Sequence, residues 1–209
     1  VHASPAERLR IRDQRVFPYL LGWFVVFMVF TGVQVVTPFL IEDRFGVTGR
    51  EAITRVAMFA LLSMALVTLV VQIVVMQVWR LSPRFLLRYS FFLFAGALVM
   101  LVVVTEIWQL YLSFALMGLS VALAAPGLNA AASLNVESNE QGAVAGLLSA
   151  APAFGMIFGP AIGGAVYNLS PATPMIGGAI LSAAVGFYFL FIAIPDPQKA
   201  ELADSAAPG

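Results

Sequence analysis

Residues 146–166 read GLLSAAPAFGMIFGPAIGGAV, with five glycines and two prolines in a stretch that carries no charge. In water this would be a poor helix, because Gly costs about 1 kcal/mol and Pro about 3 kcal/mol relative to Ala in a helix interior. In hydrocarbon the balance changes. Gly155, Gly159 and Gly163 recur every fourth residue, which makes a bare stripe on which a second helix can lie backbone to backbone. Pro160 forfeits one backbone hydrogen bond, and a bundle in a bilayer satisfies the freed carbonyl through neighbours or water. The stretch therefore predicts a membrane helix made for close packing and bending.

The rest of the 209-residue chain fits that setting, being 61% apolar and only 11% charged, where soluble domains carry about 25% charged residues. Charges divide it into uncharged runs at 16–41, 56–79, 89–105, 107–136 and 141–195. A membrane helix takes about 20 residues, so the last run must fold back. Asn168-Leu-Ser-Pro-Ala-Thr-Pro174 supplies the break. The short third run implies a helix that includes Arg88, its side chain reaching the headgroups. Six transmembrane helices are expected near 17–41, 55–79, 84–105, 107–134, 141–168 and 173–194, between a basic leader (1–16) and a polar tail (195–209). Continuous apolar runs exclude a transmembrane barrel, whose strands alternate.

Lys and Arg in short loops stay on the cytoplasmic side. Arg8, Arg10, Arg12, Arg15, Arg80, Arg84, Arg88 and Lys199 face one side, and Arg44, Arg50 and Arg55 the other, which puts both termini in the cytoplasm. The chain opens Val1-His2-Ala3 with no initiator methionine, and is expected to be part of a longer protein.

Several function classes fall away. There is no cysteine, and the single histidine, His2, sits in the leader, so no metal centre or disulfide framework is expected. Net charge is zero with scattered basic clusters, unlike a nucleic-acid footprint. No phosphate-binding loop or nucleophile triad appears, so neither an enzyme nor a cofactor is expected. No ionisable residue lies well inside any span, although such residues usually mark proton relays. Glu42 and Asp43 at an edge read as a solvated loop, and Glu137 and Glu140 as a solvated turn.

The loops are short hinges. In VWRLSPRFLLRY (78–89), Ser82 can cap the third helix and Pro83 occupy its first position. In NVESNEQGAVAG (135–146), Ser138 and Gln141 have capping-box spacing. In this order, with the Gly-Pro helix after them, these segments resemble the carboxy-terminal half of a major facilitator superfamily transporter over about residues 14–195. Gly146, Gly155, Gly159, Pro160, Gly163 and Gly164 match the spacing G-x8-G-x3-G-P-x2-G-G of the drug/proton antiporters, the multidrug and tetracycline-type efflux members. That signature belongs to helix five. Val75, Trp79 and Ser82 nevertheless depart from the family's loop signature, in which only Arg80 matches, and Phe114 stands where helix four would carry Arg. The resemblance therefore assigns helices seven to twelve, a 3+3 inverted repeat forming half of a twelve-helix fold.

That resemblance implies transport of a small organic solute by alternating access, as proton-coupled efflux through a bacterial inner membrane. The implied partners are the solute, the lipid bilayer and a missing amino-terminal six-helix half. It also implies that the first and fourth helices line a cavity. Thr31, Gln34, Thr37 and Asn129 are the polar candidates for the substrate pathway, against a packing role in interhelical hydrogen bonds. Phe24, Phe27 and Phe30 could form an apolar wall or face lipid. Gly146, Gly155, Gly159, Pro160, Gly163 and Gly164 are expected at helix packing and conformational change, and Arg80 and Arg84 in the cytoplasmic loop. The alternative is a non-transporting membrane scaffold.

Overall fold

A computed structural model describes residues 13–77 and 82–192, and the side chains of 75–77 lie outside that description. The expectations for Arg8, Arg10, Arg12, Trp79, Arg80 and Lys199 also fall outside the described residues. Six helices follow one another: α1 Phe17–Phe45, α2 Arg50–Gln77, α3 Pro83–Val102, α4 Ile107–Leu134, α5 Gln141–Tyr167 and α6 Thr173–Phe191. A 3-10 turn, Ser138–Glu140, leads into α5. All six helices are long and apolar enough to cross a membrane. Among the described residues all regular structure is helical, so the fold is an all-α integral membrane one.

Local chemistry sets the helix ends. The hydroxyl of Ser82 accepts from the Phe85 amide at 3.5 Å, with Pro83 opening α3. At α1 the helix runs past the charges at 42–44, because nothing breaks it before Gly46. Gly46 adopts φ 62° and donates its amide to Glu42 O at 3.1 Å, a left-handed cap that suits glycine. This corrects the reading of Glu42 and Asp43 as a loop. Around α5 the predicted capping box gives way to another. The Glu140 side chain accepts from the Glu137 amide at 3.0 Å, and the 3-10 turn carries Gln141 past Ser138 to face α4. Arg88 does not need to reach the headgroups, since its Nη2 donates to Leu190 O at 3.4 Å, a cation at the carboxy-terminal end of α6.

Packing follows one rule of pairing: α1 lies along α5, and α4 along α2. Helix α3 joins α4 to α6. Phe91, Phe94, Leu87, Leu98, Leu128 and Phe189 fill the centre where α1, α3, α4 and α6 converge. Gly22 admits this cluster to α1, because an added Cβ would stand 2.8 Å from Leu128 Cδ2. Helices α2 and α5 are the most peripheral. Only 6% and 22% of their apolar spans are buried, against 44–56% for the other four.

Candidate functional site

The stripe on α5 meets α1. A Cβ added to Gly155 would lie 2.6 Å from Phe24 O, and one on Gly163 would lie 2.6 Å from Gly32 Cα. One on Gly159 would overlap Thr31 Oγ1 and Met28 O. On the α1 side, a Cβ on Gly32 would come 2.9 Å from Gly159 O. These are backbone-to-backbone contacts that no larger residue permits. Gly146 and Gly164 behave differently, since an added Cβ at either meets nothing within 4 Å. Neither of these two therefore meets a described neighbour, so neither is part of the α1 crossing.

Beside this crossing lies a cleft of about 430 Å³ between α1, α4 and α5. The Trp23 indole donates to Asn129 Oδ1 at 3.1 Å. Ser133 donates its hydroxyl to Gln141 Oε1 at 2.7 Å, and Gln141 returns a hydrogen bond from Nε2 to Ser133 O at 2.9 Å. Ser149 completes the polar lining, and Val144, Ala145 and Leu148 supply apolar wall. No ionisable side chain lines it. Its chemistry is thus that of amides, hydroxyls and an indole, suited to neutral hydrogen-bonding groups and flat apolar surfaces. Nearby, Asn135 Nδ2 donates to the Tyr19 hydroxyl at 2.8 Å.

The four polar candidates part company here. Asn129 reaches the cleft. Thr31 and Thr37 are buried and give their hydroxyls to α1's own carbonyls, Phe27 O at 2.7 Å and Val33 O at 2.8 Å. Thr31 Oγ1 also lies 3.4 Å from Gly155 O. Gln34 is exposed on α1, away from Asn129. Phe24 meets Phe158 edge-on at 6.4 Å and lines a separate apolar cleft of about 250 Å³ with Phe17, Leu147 and Phe154. Phe27 leans on Trp23 at 5.6 Å. Arg84 takes the second position of α3.

An ion pair closes the end of the molecule next to the cleft. Arg15 grips Glu140 with both terminal nitrogens at 3.0 Å and Asp13 at 2.8 Å. The guanidinium holds the Asp13 carboxyl below its ordinary range. This corrects the reading of Glu140 as merely solvated. At the far end the Tyr167 hydroxyl donates to Asp43 at 2.6 Å, and Arg44 to Val102 O at 3.1 Å. Sequence reasoning missed Ser133, Ser149 and the Trp23–Asn129 bond. The available hint was that Trp23 sits too deep for an interface anchor, and a buried indole N–H calls for an acceptor.

A family model described as Major Facilitator Superfamily matches residues 19–209. The tetracycline resistance protein, class D, of Salmonella ordonez is 37% identical over 95 residues, covering 46% of this chain and 24% of that protein. The chain thus matches about a quarter of that relative's length.

Proposed function

We propose, because the chain belongs to the Major Facilitator Superfamily, that it supplies the carboxy-terminal six-helix half of a secondary transporter. Its partner half is a second set of six helices, and the two alternate access to a small organic solute. The direction we propose is export, coupled to protons, through a bacterial inner membrane with both termini cytoplasmic. The printed name of the resistance protein favours export, and the distribution of Lys and Arg favours that orientation. Since no carboxylate lies deep in a described span, the proton-carrying group belongs to the partner half or to a span edge, where Glu42 and Asp43 lie at the end of α1.

One observation carries the reading: a helix crossing with glycine backbone on both sides, set directly beside a polar cleft inside a membrane fold. The crossing of α1 and α5 is the seam that shifts. The cleft on Trp23, Asn129, Ser133 and Gln141 is where the solute's neutral polar groups are held. The full-length protein carrying Asn129→Ala or Trp23→Phe should export its solute at least about fivefold more slowly while remaining inserted, one hydrogen bond to an unpaired partner being worth about 1–3 kcal/mol. Export unchanged in both variants contradicts the assignment of the cleft.

A further inference from the structure

At the end of α1 remote from Trp23, a further cleft of about 550 Å³ opens between Pro38 and Glu42 of α1 and Arg50, Ile53 and Thr54 of α2. Its size falls within the range of about 300–1,000 Å³ typical of small-molecule sites. Glu42 is nineteen positions along the helix from Trp23, roughly 28 Å at 1.5 Å per residue. The two clefts are therefore distinct.

The charges at this end are mostly accounted for. Asp43 accepts from Tyr167, Arg44 donates to Val102 O, and Arg55 pairs with Glu51 at 2.8 Å. Glu42 and Arg50 are different. Among the described residues neither makes a hydrogen bond through its side chain or an ion pair, with the other or with anything else, yet both line the same cleft. Both also oppose their helix dipoles. Glu42 lies in the last turn of α1 and Arg50 is the first residue of α2, whereas carboxylates favour helix starts and cations helix ends. Both side chains are exposed, unpaired and line one cavity, so each is open to a ligand that enters it.

We infer that this cleft binds a small zwitterion, Arg50 taking its anionic group and Glu42 its cationic group. A simple cation is repelled by Arg50 and a simple anion by Glu42, and a neutral molecule compensates neither charge. A ligand with both signs, spaced to span α1 and α2, can pair with both side chains at once. Thr54 adds a hydroxyl beside Arg50, and Gly49, at φ 92°, gives the tight turn that brings the two helix ends together. On the transport reading the site is a loading or release station at one mouth of the pathway; binding itself does not depend on that reading.

The test uses the full-length protein in phosphatidylglycerol nanodiscs, with fluorescence anisotropy of three probes sharing one fluorophore. These are Nε-dansyl-lysine, a zwitterion, its methyl ester, a cation, and its Nα-acetyl derivative, an anion. The zwitterion should bind at least about tenfold more tightly than either analogue, since each lost charge contact is worth a tenfold step or more. Glu42→Gln should bring the zwitterion level with the anion, and Arg50→Gln should bring it level with the cation. Both variants should melt no lower than the parent, because each removes a charge that opposes a helix dipole. Adding phosphatidylethanolamine distinguishes the sources of the ligand: competition assigns the site to a lipid headgroup, and its absence to a free solute. Equal binding of the three probes by the unaltered protein overturns the inference, as does zwitterion binding unmoved by both substitutions. Export that persists in a protein without this selectivity removes the zwitterion site and leaves the proposed function standing.

Discussion

Two helix crossings obey the same pairing rule and are held together differently. Where α5 lies on α1, Gly155, Gly159 and Gly163 press on a backbone that includes Gly32; the Thr31 hydroxyl lies 3.4 Å from Gly155 O, and one short bond, from the Tyr167 hydroxyl to Asp43 at 2.6 Å, joins the two helices at one end. Where α2 lies on α4, a single glycine, Gly118, receives the Met64 carbonyl, and two hydroxyls bridge the helices. Ser63 donates to Tyr111 O at 2.9 Å and Thr68 to Gly118 O at 3.1 Å. Through its middle the first crossing is bare backbone in van der Waals contact, its one short side-chain bond lying at the end, between Tyr167 and Asp43. The second is pinned by directional bonds. On the transport reading proposed above, the first crossing is the one that slides, breaking the Tyr167–Asp43 bond, while the second keeps its register.

The contrast breaks most readily at the glycines. Gly159→Leu and Gly163→Leu should abolish export and destabilise the fold, as a leucine side chain there drives into the backbone of α1. Overpacking of this kind costs about 1–3 kcal/mol even where side chains can yield, and here the obstacle is main chain. Gly146→Leu and Gly164→Leu, with open space around them, should leave both export and melting temperature near those of the parent. A matched loss in all four variants would show that contact geometry does not govern the seam.

Next in size, Ser63→Ala combined with Thr68→Ala should lower thermal stability by about 1 kcal/mol, as interhelical hydrogen bonds in membranes average ~0.6 kcal/mol each. Thr31→Ala alone should do less, because its hydroxyl is spent mainly on Phe27 O. Equal costs for the two sites would erase the distinction between pinned and bare crossings.

The smallest effect concerns pH. Arg15 holds the Asp13 carboxyl below its ordinary value of 3.8, so the stabilisation is fully present above that value and is lost as pH falls through the lowered one. Melting curves of the parent and Asp13→Asn should differ by a small constant amount at neutral pH and converge in strong acid. A gap that widens in acid has the wrong sign for this pair.

Much of this was legible in the sequence, and the omissions have physical causes. Uncharged runs mark membrane helices because burying a charge in hydrocarbon is costly, and four-residue glycine spacing marks a packing face because it follows the helical turn. The same spacing cannot tell which glycines meet a neighbour, as Gly146 and Gly164 show. Charge is also a poor guide to where a helix stops. Glu42, Asp43 and Arg44 remain helical until Gly46 can take a positive φ. Partnerships across the bundle were out of reach, since Arg15 and Glu140 stand 125 residues apart, and Trp23 and Asn129 stand 106 apart. Thr31 and Thr37 drew attention as polar residues in an apolar helix, and each instead back-bonds within its own turn, which threonine does readily.

The difference between the crossings can be tested on two aromatic pairs of nearly equal spacing. Phe39 and Tyr167 bridge α1 and α5 with rings 6.0 Å apart, and Phe59 and Tyr111 bridge α2 and α4 at 6.3 Å. The described chain contains no cysteine, so each pair can be replaced by cysteines and joined with the same short thiol cross-linker in a cysteine-free full-length protein. Cross-linking Phe39→Cys to Tyr167→Cys should stop export until the link is cleaved, while cross-linking Phe59→Cys to Tyr111→Cys should leave export intact. Export that survives the first link, or stops with the second alone, contradicts the account.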